Sequence, residues 1–259
     1  MSDTNKLGAA KELARASGNN FHSKVVQFLR GKEWLVLVSP YYVDPSTDKA
    51  REIDLIAEKL FVSMDRIGRE NGYIRMRLHV ECKYINQMTV FWFDNQDDRE
   101  TRRSIESKTL FKRNNTFINQ HHYLQHNQRV AKLFTTEKSK DTESEPMFRA
   151  INQTLNGLVN SDQAHLRTVD HLTCHKTIEY PVIVCSSFDS FFRKDLGSED
   201  DEVSQIRGNF LMEVNYAYTM KHTDRTFSDY FLIDVVEFNQ LNRFLEALQL
   251  EFEAMHHMI

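Results

Sequence analysis

Between Lys11 and Arg30 the apolar residues Leu13, Phe21, Val25, Phe28 and Leu29 recur largely at helical spacing, and Gly31 stands where a C-terminal cap belongs. The spacing predicts a helix ending near Arg30 and broken at Gly18. Trp34–Val38 is a short apolar run of strand formers, closed by Ser39, Pro40 and a polar stretch through Lys49 that predicts a loop. Glu52–Ala57 then alternates polar and apolar, Gly68–Gly72 turns the chain, and Ile74–Tyr84 alternates again through Ile74, Met76, Leu78 and Val80. Two alternating arms around a turn predict a hairpin with an acidic residue on each arm.

Beyond Thr89–Phe93 the chain becomes highly polar from Asp94 to Arg113, and a helix is expected over Asn115–Phe134. The charged run Thr135–Pro146 lacks apolar anchors and reads as a flexible loop. A further helix is predicted over Phe148–Val159, with Phe148, Ile151, Leu155 and Leu158 on one face. Strands are predicted at Tyr180–Cys185, Phe210–Tyr218 and Tyr230–Val236. A closing helix runs from Glu237 to Met258, with Phe238, Leu241, Leu245, Leu248 and Phe252 on one stripe. This order implies an α/β fold, a mixed sheet flanked by helices. One domain over residues 1–259 is expected, with a helical insertion at about 94–145 and C-terminal strands and helix at about 205–259.

Composition adds limits. With 259 residues, 41% hydrophobic and 27% charged, the chain can bury a sizeable core. No apolar window approaches the roughly 18 residues of a membrane span, and the N-terminal segment has no long apolar stretch of the signal-peptide kind. The cysteines Cys82, Cys174 and Cys185 are odd in number and widely spaced. A cytoplasmic, non-membrane protein with reduced thiols is therefore expected. The net charge of -4 offers no global attraction to a polyanion, so nucleic-acid binding would need a local patch, a metal ion or a partner. No Gly-x-x-x-x-Gly-Lys-Ser/Thr loop is present, which argues against a nucleotide-driven motor.

The chemistry concentrates in the predicted hairpin. Asp54 lies inside Arg51–Ala57 and Glu81 at the end of Leu78–Lys83, both embedded in apolar strands where an uncompensated carboxylate is costly. A divalent cation would compensate the pair, since Mg²⁺ takes hard oxygen ligands. Lys83 shares a strand face with Glu81, because strand side chains repeat every two residues, and so brings an ammonium to the same place. The same three residues could also form a buried structural ion pair. Glu106-Ser107-Lys108 has the same spacing but lies in a solvated stretch.

An acidic residue on one strand (Ile53-Asp54) followed by Glu81-Cys82-Lys83 at the end of the next resembles the PD-(D/E)XK nuclease superfamily, whose restriction-endonuclease-like core runs helix, three strands, helix, strand. The likeness covers roughly Lys11 to Ser186. It implies that Asp54, Glu81 and the backbone carbonyl of Cys82 bind Mg²⁺, with Mn²⁺ able to substitute, and that Lys83 positions the attacking water and stabilises charge on the phosphate. Ile53 stands where the family loosely keeps proline. The first-helix Glu of many members is aligned with His22, so either His22 replaces it, Glu12 reaches in, or the site is weakened. Gln153 is the nearest counterpart of a Gln or Tyr that the family carries on the helix after the third strand. The implied function is a Mg²⁺-dependent nuclease, with DNA the expected substrate, in a bacterial or phage restriction, defence or repair setting. The rival readings are a catalytically silent module that binds nucleic acid or a partner protein, and a phosphodiesterase acting on something smaller than DNA. Assembly into a homo-oligomer, or with a partner subunit, is expected to supply the recognition that net charge does not.

Other features carry plainer readings. Arg99, Arg102, Arg103, Lys108, Lys112 and Arg113 face only Glu100 and Glu106 in that stretch, a solvated helix or, if beside Asp54, an arm that tracks phosphates. His121, His122 and His126 read as a polar helix face. His171, Cys174 and His175 form half of a zinc pattern with no second half. Phe91-Trp92-Phe93 could stack on bases but is expected to pack in the core.

Overall fold

The computed structural model describes residues 3–45, 47–64, 67–112, 116–125, 129–137, 145–160, 171–198, 202–219 and 225–256. Two helices, α1 (Asp3–Ala16) and α2 (Asn19–Gly31), precede β1 (Leu35–Val38), and the break between them falls at Gly18 as the pattern predicts. A small hairpin of β2 (Tyr41–Asp44) and β3 (Lys49–Glu52) follows, and then β4 (Leu55–Met64) and β5 (Glu70–Lys83). The middle of the chain holds β6 (Thr89–Asn95), α3 (Asp98–Lys108), a 3-10 turn at Thr116–Gln120, α4 (His122–Gln125) and β7 (Arg129–Thr136). It continues through α5 (Pro146–Asn160), β8 (Cys174–Cys185), β9 (Phe191–Asp195), β10 (Ser204–Gln205), β11 (Phe210–Thr219), β12 (Thr226–Glu237) and α6 (Leu241–His256).

Ten strands form one mixed sheet in the order β1-β4-β5-β8-β12-β11-β7-β6-β9-β10. β4 and β5 pair antiparallel from Leu55↔Val80 outward, the expected hairpin, whereas β8 joins β5 and β12 in parallel. Pro181 is tolerated in this interior strand because β12 joins only from Val182 onward, so the missing N–H falls before the second ladder begins. α3 sits near the opening where β8 and β12 diverge: Lys108 Nζ reaches the Tyr230 carbonyl and Lys176 Nζ the Ser107 carbonyl, at 3.2 and 3.1 Å.

Strand alternation divides most of the interior into two large cores, beside a small cluster of Tyr42, Ile53 and Ile56. The even residues of β5, Ile74, Met76, Leu78 and Val80, join Leu55, Tyr180, Val182 and Leu232 beneath α2 and α6. Ile183, Cys185, Ile233 and Val235 face the other way and pack with Phe91, Phe191 and the buried side of α5, Met147, Ala150, Ile151 and Leu155. The odd residues of β5 are polar, yet Arg75, Arg77, His79 and Glu81 are all buried. Arg77 bridges Glu58 on β4 and Glu179 on β8, and His79 Nε2 lies 3.2 Å from the Glu179 carboxylate, so the row is largely paired across strands.

Several expectations are corrected. Residues 115–134 are not one helix, since Arg129–Thr136 is a strand paired with β6 and β11, so the segment 94–145 is not a purely helical insertion. The polar stretch through Lys49 that reads as a loop contains β2 and the first residue of β3. Asp54 does not lie within a strand but in the bend between β3 and β4. β9 and β10 had no counterpart in the pattern. Of the loop expected at 135–146, residues 138–144 lie outside the described residues, and its ends belong to β7 and α5.

One glycine sets the distance between α5 and the Asp54 bend. A Cβ on Gly157 would come 2.7 Å from Cδ1 of the fully buried Ile53. Gly157→Leu is therefore expected to destabilise the protein by about 1–3 kcal/mol, measurable as a lowered urea midpoint.

Candidate active site

The β4–β5 register continues one step past Leu55↔Val80 to set Asp54 against Glu81. Two backbone donors fix the carboxylates there. Cys82 N–H donates to Asp54 Oδ2 at 2.8 Å and Asp54 N–H donates to Glu81 Oε1 at 3.2 Å. Lys83, two residues beyond Glu81 on the same strand face, donates to Glu81 Oε2 at 2.8 Å. Its ammonium also donates to Gln153 Oε1 of α5 at 3.0 Å. Asp54, Glu81, Lys83 and Gln153 thus meet where α5 covers the end of β5. The side chain of Cys82 packs against the opposite core, leaving only its backbone to this site.

Glu81 has no solvent exposure. Burial pushes its pKa up to about 7, the nearby Asp54 charge adds to the rise, and Lys83 partly offsets both. With both carboxylates ionised, as above the Glu81 pKa, two of them against one ammonium leave the cluster one negative charge in excess. Asp54, Glu81 and the Gln153 amide are hard oxygen donors of the kind Mg²⁺ and Mn²⁺ prefer, so this donor set and its residual charge fit a divalent cation.

His22 Nε2 lies 2.9 Å from the Asp54 carbonyl oxygen. Since a carbonyl only accepts, that nitrogen must carry the proton, which makes His22 a support for the bend rather than a ligand through Nε2. Glu12 is exposed on α1 and is not among the groups that contact the carboxylates. Pattern reading overlooked Tyr42, which is buried in the β2–β3 hairpin and feels the Glu81 charge; burial is the main reason its phenol is pushed upward. His79 and its β8 partner Glu179 were also overlooked, although the polar alternation of β5 pointed to His79.

The basic stretch is not beside the carboxylates. α3 buries Ile105 in the α2–α6 core, and its C-terminal end is anchored to Lys176, seven residues along β8 from Ile183, the partner of Glu81. At about 3.3 Å per strand residue this separation is on the order of 20 Å. Arg102 pairs with Asp98 at 2.9 Å and Arg103 with Glu100 at 3.7 Å, while Arg99 and Lys112 are exposed; Arg113 lies outside the described residues. In Glu106-Ser107-Lys108 the acid and the lysine sit two apart on a helix and do not share a face.

His121 and His122 are not a polar helix face but are buried, in contact with Glu251 of α6 and Asp234 of β12; His126 lies outside the described residues. Both ring nitrogens of His122 point at carboxylates, Nδ1 at Glu251 Oε2 (2.5 Å) and Nε2 at Asp234 Oδ2 (3.2 Å), which assigns it as imidazolium. Tyr123 N–H donates to His121 Nδ1 at 3.2 Å, so His121 carries its proton on Nε2. His121, His122 and Glu251 converge as metal ligands would. With the imidazole lone pairs committed, however, the group is an ion-pair network. Of the half zinc pattern, His171 is exposed and Cys174 contacts Arg75 and Thr177.

Comparison with family models, curated proteins and solved structures returned no match. No helix among the described residues is long and apolar enough to cross a membrane.

Proposed function

We propose that this protein is a divalent-metal-dependent nuclease of the PD-(D/E)XK kind, built on a restriction-endonuclease-like core. The observation that carries the reading is the meeting of Asp54, Glu81, Lys83 and Gln153 at one end of β5. A structural ion pair needs one acid and one base, whereas here two carboxylates are held at one point by backbone donors, and a polar amide joins them through Lys83.

Asp54 and Glu81 would hold Mg²⁺ or Mn²⁺, together with the Cys82 carbonyl. Such an ion, when bound, supplies Lewis acidity to a phosphate oxygen and a more acidic water. The chain's own residues do the rest. The N–H groups of Cys82 and Asp54 hold the two carboxylates in fixed orientations, and His22 ties down the carbonyl of the Asp54 bend. Lys83, steadied by Gln153, places a fixed positive charge where negative charge grows on a phosphodiester under attack. DNA is the proposed substrate, and assembly with a second copy or a partner subunit remains the proposed source of recognition.

The test is incubation of the protein with plasmid and single-stranded DNA across Mg²⁺ and Mn²⁺ concentrations, with chelator as control. Cleavage that needs metal is expected, with Asp54→Ala and Glu81→Ala losing both cleavage and the metal-dependent rise in Tm. Cleavage that persists in chelator, or equally fast cleavage by Asp54→Ala, would refute the reading.

A further inference from the structure

A second feature lies apart from the Asp54 bend. A cavity of about 480 Å³ opens among β7, β9, the β10–β11 connection and α6. Four arginines from these separate elements line it: Arg129, Arg193, Arg207 and Arg243. The chain as a whole carries a net charge of -4, so this is a local reversal of sign.

The arginines fall into two pairs. Asp195 clasps the inner two, accepting from Arg193 Nε at 2.9 Å and standing 3.2 Å from an Arg129 terminal nitrogen. The Arg193 guanidinium also lies 4.6 Å from the centre of the Phe93 ring. One carboxylate therefore orients two guanidinium groups without neutralising both, and Arg129 Nε is shut from solvent with no hydrogen-bond partner. The outer two, Arg207 and Arg243, are exposed and form no ion pair among the described residues. Gln240 Nε2 donates to the Arg207 carbonyl at 3.0 Å, which ties that connection to the start of α6 and keeps the cavity formed. His122, the imidazolium of the buried network, and Asp234 also line the cavity, and their charges offset.

A solvated charge run would spread its cations along one helix face. Here they converge on a concave space whose other walls include Phe210, Leu211 and Phe244. Guanidinium forks match phosphate oxygens, and apolar walls suit a flat ring system. The volume is far larger than inorganic phosphate needs. We propose that this cavity binds a nucleoside phosphate, with the phosphates toward the arginines and the base against the apolar wall.

The inference does not depend on the nuclease reading, and its test separates the two. Binding of ATP, GTP and ADP is measured by calorimetry and thermal shift in metal-free buffer with chelator. Pyrophosphate, adenosine and a single-stranded oligonucleotide serve as comparison ligands, and Asp54→Ala as a control protein. At least one nucleotide is expected to bind one per chain, more tightly than pyrophosphate or adenosine, and equally well to Asp54→Ala. The exposed pair Arg207→Glu and Arg243→Glu, combined, should weaken binding at least about tenfold, equivalent to about 1.4 kcal/mol, without lowering the ligand-free Tm. Three results would overturn the proposal: no binding of any of the three nucleotides, binding unaffected by the double substitution, or binding confined to the oligonucleotide.

Discussion

Lys83→Ala is expected to reduce metal-dependent cleavage by about 10²–10³-fold, the loss typical of removing one fixed donor to a developing oxyanion. The expectation follows from position. The Lys83 ammonium is held by Glu81 and Gln153, so in the proposed reaction its charge is already placed and needs no reorganisation. It is not a ligand, and the carboxylates keep their backbone donors when it is removed, so the metal-dependent rise in Tm should survive. That separates it from Asp54→Ala, where both readouts fall. Gln153→Ala, which removes the support and leaves the charge, should show a smaller loss than Lys83→Ala. Single-turnover cleavage at saturating Mg²⁺ is the measurement, and wild-type rates from Lys83→Ala would exclude Lys83 from the chemistry.

The residues of this site were legible because a two-residue period leaves little freedom. Ile74, Met76, Leu78 and Val80 fix one face of β5, which forces Glu81 and Lys83 together onto the other. Gln153 was legible only through the family resemblance, since nothing local in α5 announces that its amide meets Lys83. The β2–β3 hairpin was hidden because Ser39, Pro40 and the polar stretch through Lys49 read as loop, while its pairing is set by contacts that local propensity does not record. The stretch containing β7 was read as part of a helix over Asn115–Phe134, on a weak local preference. Pairing with β6 on one side and β11 on the other overrides that weak preference. The His121–His122 pair was misread for a different reason: its compensating charges, Asp234 and Glu251, lie more than a hundred residues away. A signal did exist. Glu251 interrupts the apolar stripe Leu241, Leu245, Leu248 and Phe252 of α6, and a carboxylate on a buried face implies a buried partner.

That network should dominate stability. Glu251 is fully buried and accepts from His122 Nδ1 at 2.5 Å, from the His122 backbone N–H at 3.3 Å and from the Tyr180 hydroxyl. Removing one member of a buried ion pair leaves an uncompensated charge, so Glu251→Ala should cost about 3–5 kcal/mol. For a chain of this size that corresponds to a Tm lower by roughly 6–20 °C. The pH dependence carries a sign that identifies the partner. Asp234 and Glu251 together overcome the effect of burial on His122, so its pKa is raised from 6.5 to about 10. A raised base contributes stability that is complete below pH 6.5 and lost as pH climbs toward 10. Despite burial, the His122 charge and its hydrogen bond help lower Glu251 from 4.5 to about 2, a contribution present above 4.5 and lost only in strong acid. Lys108, depressed by burial to about 8, acts in the opposite sense at alkaline pH, because its charged form is costly and is relieved as pH rises. Comparing wild type with His122→Gln cancels that background. The stability gap between the two should be widest near pH 6 and narrow steadily toward pH 10, as followed by urea unfolding; a gap of constant size would show that His122 is not the imidazolium of the network.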